Sequence, residues 1–197
     1  MSAMPRTGGT GSPDASSGQD GTGHVKVWDP AVRVFHWTLV ASFGVLWLTA
    51  ESERFRDLHV MAGWTMAGLV AFRILWGLVG TRHARFASFV KGPAAVVRYL
   101  RSLASARPEH HVGHNPAGAL AIVAILLLSV ATIAAGWATL EGLGGEWVEE
   151  AHEFLANAML AVVGVHLAGV LLSSWLHGEN LVKAMLTGRK RVGPSKG

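Results

Sequence analysis

Apolar residues in this 197-residue chain come in four long blocks rather than in alternation with polar ones. Each block is close to the roughly 20 residues that a helix needs to cross a bilayer. The first runs from about 31 to 50, with Asp29 placed as N-cap and Pro30 at the first helical position. The second covers about 58–79. The third follows "HNPAG", where Asn115 can cap and Pro116 opens the helix, and continues to about 140. The fourth runs from about 149 to 175. The pattern predicts an all-α, four-transmembrane-helix bundle. Most of the eight tryptophans fall near block ends, as an interfacial belt would.

Between the second and third blocks, "GPAAVVRYLRSLASA" places Val96, Val97, Leu100 and Leu103 at helical intervals, with Arg98 and Arg101 on the other side. It predicts a short amphipathic helix lying on the membrane surface. Residues 1–24 are rich in Gly, Ser, Thr, Asp and Pro and hold no apolar run. A signal peptide needs such a run, so this segment reads as a disordered tail and the first span as its own targeting signal. Residues 25–191 then form the membrane domain, and 192–197 a short C-terminal tail.

Charge orients the bundle. The loop 81–115 carries Arg82, Arg85, Lys91, Arg98, Arg101 and Arg107 against the single acid Glu109, and the C-terminal segment adds Lys183, Arg189, Lys190, Arg191 and Lys196. Residues 139–150 carry Glu141, Glu146, Glu149 and Glu150 and no base. The positive-inside rule puts both termini, the 81–115 loop and its amphipathic helix in the cytoplasm. Because the bases cluster by loop and the net charge is only +4, nucleic acid is not the expected partner. Membrane lipid is.

With no cysteine, the chain can form no disulfide, thiolate metal site or cysteine-held iron–sulfur cluster, and its ten histidines are the good nitrogen ligands. Two of them, His152 and His166, open and close an apolar stretch of the fourth span. Fourteen residues at about 100° each fall roughly 40° short of four full turns, so the two share a face, about 21 Å apart along the axis. Each has a partner at its own depth. His36, at the cytoplasmic start of the first span, matches His166, and His59, at the outer start of the second, matches His152. Two bis-histidine levels stacked across a bundle are what two haems b require. Arg73, fourteen residues after His59, stands at the inner level, and a charge inside a span is costly and usually functional. Arg73 and Arg33, one turn before His36, are candidate partners for haem propionates. Gly63 and Gly164 are candidates for giving a porphyrin room.

Other histidines read differently. His24, His83 and His177 fit interfacial polar positions, and His110, His111 and His114 fit a solvated loop. "HEFLA" begins like a zinc-protease motif, but Ala156 stands where its second histidine belongs.

"VWDPAVRVFHW", "GHNPAGALAI", the His152/His166 pair and "ENLVKAMLTGRKR" together resemble the bacterial di-haem cytochrome b561 family, which includes the b-type subunits of nickel–iron hydrogenases. The likeness spans about residues 25–191. It implies that His36, His59, His152 and His166 ligate two haems b in a multi-pass protein of the bacterial inner membrane. It also implies electron transfer between the quinone pool and a redox partner, such as a c-type cytochrome or a hydrogenase, as an electron-transfer subunit of a quinone-linked complex. A homodimer is a further assembly to be expected. Two other classes compete with this reading. A histidine-lined metal or proton transporter would want more carboxylates along the spans, and a structural anchor for a redox enzyme would leave the depth-matched histidines without purpose.

Overall fold

The computed structural model describes residues 19–20, 24–26, 30–81, 84–90, 92–103, 116–178 and 180–191. Its four long helices are α1 (Pro30–Thr49), α2 (Arg56–Val79), α5 (Pro116–Leu140) and α6 (Glu146–His177); between and after them lie α3 (Phe86–Phe89), α4 (Pro93–Leu103) and α7 (Leu181–Thr187). All four long helices are apolar enough to cross a membrane. Their bounds lie within three residues of the predicted ones, because the ends follow local chemistry. Pro30 and Pro116 start helices at the position where a missing N–H costs nothing. Gly80 ends α2 by donating to the Trp76 carbonyl at 2.9 Å, and Gly178 ends α6 in the left-handed conformation at φ 62°. At 32 residues α6 is about 48 Å long, well beyond the roughly 30 Å hydrocarbon layer, so it carries side chains from one aqueous face to the other.

Backbone packing runs in series, α1 on α2, α2 on α5, and α5 on α6, while α6 makes next to no close backbone approach to α1 or α2. At mid-height the helices meet through Met66 and Val70 of α2, Leu126 of α5 and Met159 of α6. Outward-facing leucines, valines and tryptophans along all four helices stay exposed. Lipid carries no penalty for them. The α1–α2 turn and the start of α6 hold Glu51, Glu53, Glu146, Glu149 and Glu150, which define an acidic-loop side of the bundle. The start of α1 and the end of α6 lie opposite, on a terminal side.

There a three-stranded ribbon joins β1 (Gln19–Asp20), β2 (His24–Lys26) and β3 (Arg189–Arg191) in antiparallel order, with Val25 opposite Lys190. Residues 19, 20 and 24 of the segment expected as a tail are thus strand-paired: the chain's basic end supplies an edge for β2, and β1 pairs with the other side of β2. The remainder of 1–24, the "HHVGH" loop and 192–197 lie outside the described residues. Asn180 caps α7 by accepting from the Lys183 N–H at 2.7 Å, and Arg33 of α1 donates to the Leu186 carbonyl near the α7 end. The ribbon and this bond tie the start of the first span to the end of the last.

Helix α4 packs on α5. Its buried side centres on Tyr99, only 2% exposed, whereas Val97 of the expected apolar face is 47% exposed. The helix has turned a larger aromatic group towards the protein. The short α3 returns beneath α2, where Gly77 leaves room for the Phe86 ring, and the guanidinium of Arg73 stacks over that ring at 4.8 Å. A β-carbon at position 77 would run into Phe86. Gly77→Val is therefore expected to cost about 1–3 kcal/mol by overpacking, seen as a lower Tm of the solubilised protein, and Phe86→Ala in the same chain should recover part of it.

Candidate functional site

Helices α1, α2 and α6 carry the four histidines to two heights. On the acidic-loop side, His59 in the first turn of α2 faces His152 in the second turn of α6, their ring centres 6.4 Å apart and their planes at 75°. Nδ1 of His59 lies 3.1 Å from the Leu46 carbonyl and 3.2 Å from Thr49 Oγ1, and Nδ1 of His152 lies 2.9 Å from the Thr132 carbonyl. A carbonyl oxygen can only accept, so Nδ1 carries the proton in both rings and Nε2 keeps its lone pair. This is the arrangement that orients a metal-binding imidazole and raises its basicity.

Both acceptors are available for local reasons. The last turn of α1 tightens, with the Ala50 N–H directed to the Trp47 carbonyl at 3.5 Å, which leaves the Leu46 carbonyl for His59. Thr49 spends its own proton on the Val45 carbonyl at 2.7 Å, so its oxygen can accept. On α5, Gly136 stands one turn beyond Thr132. A β-carbon there would lie 2.7 Å from Cε1 and 3.0 Å from Nδ1 of His152. Glycine thus uncovers the carbonyl that His152 needs. Sequence reasoning missed Leu46, Thr49, Thr132 and Gly136. Backbone acceptors have no sequence signature, but a glycine at the depth of His152 was readable.

At the terminal side stand His36, in the second turn of α1, and His166, eleven residues before the end of α6. His36 packs edge-on against Trp37 at 5.3 Å, and its Nδ1 is buried without a hydrogen-bond partner among the described residues. Such a nitrogen costs roughly 1–3 kcal/mol unless something engages it. Arg33 and Arg73 stand at this level, Arg33 held by Leu186 and Arg73, 4% exposed, over Phe86. Gly164 faces open space. Met159 lies seven residues from both His152 and His166, so the methionine layer sits about 10 Å from each level.

A cleft of about 720 Å³ surrounds His59 and His152, within the range of cofactor pockets. Its floor is apolar, with Phe43, Leu46, Met66, Ile133 and Met159, and Gly63 lies along its wall. Its rim is polar, with Glu51, Ser52, Glu53, Arg56, Glu149 and Glu153. The donors fit a haem. No group of three or more His, Cys, Asp or Glu converges among the described residues, and two nitrogens per level are too few for a bare ion such as zinc. A metal that arrives inside a tetrapyrrole needs only two axial ligands. The 6.4 Å between the ring centres of His59 and His152 leaves room for one metal between the two imidazoles, and these residues would hold it.

Comparison with known proteins points the same way. The family model described as "Prokaryotic cytochrome b561" matches residues 27–188. The chain is 28% identical over 138 residues to the "Probable Ni/Fe-hydrogenase 1 B-type cytochrome subunit" of Escherichia coli K12, covering 57% of this chain and 58% of that protein. It is 25% identical over 224 residues to the "Probable Ni/Fe-hydrogenase B-type cytochrome subunit" of Bradyrhizobium diazoefficiens, covering 89% of this chain and 90% of that one. The first match thus spans less than two thirds of its relative's length. No solved structure matches the chain.

Proposed function

From the premise that the chain belongs to the prokaryotic cytochrome b561 family and is a multi-pass b-type cytochrome of electron transfer, we propose that it holds two haems b and conducts electrons across the membrane between the quinone pool and a redox partner protein. The observation that carries this reading is the His59/His152 pair, 6.4 Å apart and with both Nδ1 protons committed to carbonyls. His36 and His166 make the second pair. Haem b supplies one-electron cycling between ferric and ferrous iron. The chain's contribution would be two imidazoles at each level to hold the iron, from His59 and His152 and from His36 and His166. The Leu46 and Thr132 carbonyls hold both rings of the first pair in one orientation, so little moves when the charge changes. Arg33 and Arg73 place positive charge near the second pair, which favours the reduced state there.

The terminal side, with Arg98, Arg101, Lys183 and Arg189, is the cytoplasmic face on the positive-inside rule, and the acidic-loop side faces out of the bacterial inner membrane. A quinone exchanges electrons near one face, and the partner protein docks at the other. The names of the relatives favour a hydrogenase-like enzyme as that partner. The purified protein is expected to show a reduced-minus-oxidised spectrum of bis-imidazole haem b with two haems per chain. A haem-free chain that is folded and inserted would refute the reading.

A further inference from the structure

The cleft around His59 and His152 has a charge problem. Among the described residues its lining includes Glu51, Glu53, Glu149 and Glu153 but one Lys or Arg, Arg56. No ion pair among the described residues engages the Arg56 guanidinium. A porphyrin of the b type carries two carboxylates on one edge, and an amphiphile in this cleft lays its apolar body on the floor and its charged edge at the rim. There the four glutamates repel it. A cation at the rim offsets that repulsion, so a single well-placed one decides whether the edge can rest there.

Arg56 has the place for that role. It stands one turn before His59 on α2, between the ligand and the aqueous face. The spacing Arg-x-x-His occurs at the start of α1 as well, in Arg33 and His36. The two differ in what the arginine does. Arg33 turns away to the Leu186 carbonyl, whereas Arg56 lines the cleft that its histidine faces.

We propose that Arg56 is the anchor for the porphyrin carboxylates at the His59/His152 level and holds the potential of that haem up against the surrounding glutamates. The inference rests on the two-haem reading. Cations near the iron favour the ferrous form, so removing this one stabilises the ferric form. The test is a potentiometric titration of the full-length protein carrying Arg56→Gln or Arg56→Lys, with haem content measured on the same samples. His152→Ala identifies which spectral component belongs to this level. Arg56→Gln is expected to shift the ferric-to-ferrous ratio of that component three- to tenfold towards ferric at fixed ambient potential, tenfold being about 59 mV for one electron, or to release the haem from it. Arg56→Lys should restore both haem and potential. An unchanged component in Arg56→Gln, or equal damage from Arg56→Lys, overturns the assignment, because a role in starting the helix depends on neither charge nor potential. If instead His152→Ala removes no haem, it is the two-haem reading that fails.

Discussion

On the two-haem reading, replacement of His166 by alanine is expected to lower haem content from two per chain to one, with the remaining haem still showing a bis-imidazole spectrum. The reason lies in how α6 is used. It carries His152 and His166 on one face, about 21 Å apart, so a change at one end leaves the other pair's hydrogen bonds to Leu46 and Thr132 untouched. A b-type haem is held without covalent attachment, so loss of an axial ligand removes the largest single contribution to its retention. The pairing makes a stricter demand: His36→Ala should reproduce the His166→Ala spectrum, and His59→Ala that of His152→Ala. Haem-to-protein ratios from the four variants decide it. Two haems surviving in His166→Ala, or His36→Ala grouping with His152→Ala, would break the assignment.

Gly136→Val is expected to empty the His59/His152 level although it alters no ligand. Its β-carbon would lie 2.7 Å from Cε1 of His152, so the ring must rotate away and give up the 2.9 Å bond to Thr132. Partners that orient a metal-bound histidine are typically worth 10- to 100-fold in affinity, and here the ligand itself is displaced as well. Gly136→Ala should show the same defect in part, as weakened retention of one haem during purification. Gly44→Ala is the control, since a methyl there meets nothing within 4 Å and alanine favours helix by about 1 kcal/mol. Full retention of both haems in Gly136→Val would show that His152 does not need its carbonyl.

Much of this was readable in the chain because the membrane simplifies the code. Spans must be long and apolar and carry their backbone bonds internally, so four blocks and two capping prolines were enough to locate α1, α2, α5 and α6 to within three residues. Helical period then put His152 and His166 on one face, and loop charge matched each to a histidine of equal depth. What stayed hidden depends on tertiary approach. Nothing local marks the Leu46 and Thr132 carbonyls as acceptors. Arg33, a candidate cofactor partner from its spacing to His36, also donates to Leu186, and no local pattern marks that tie because it joins residues at opposite ends of the chain. The pairing of His24, Val25 and Lys26 depends likewise on strand β3, far away in sequence, and Gln19 and Asp20 pair in turn with β2. Arg56 was passed over among the charges of a short turn, and only the cleft singles it out.

The serial packing, in which α6 leans on α5 and hardly approaches α1 or α2, has a consequence for how the protein is held together. The chain is two hairpins, α1–α2 and α5–α6, and on the two-haem reading every ligand pair takes one histidine from each. Iron then works as a cross-link. The hairpins already meet through Met66, Val70, Leu126 and Met159 at mid-height, so each cofactor would add a tie on either side of a contact the chain makes by itself.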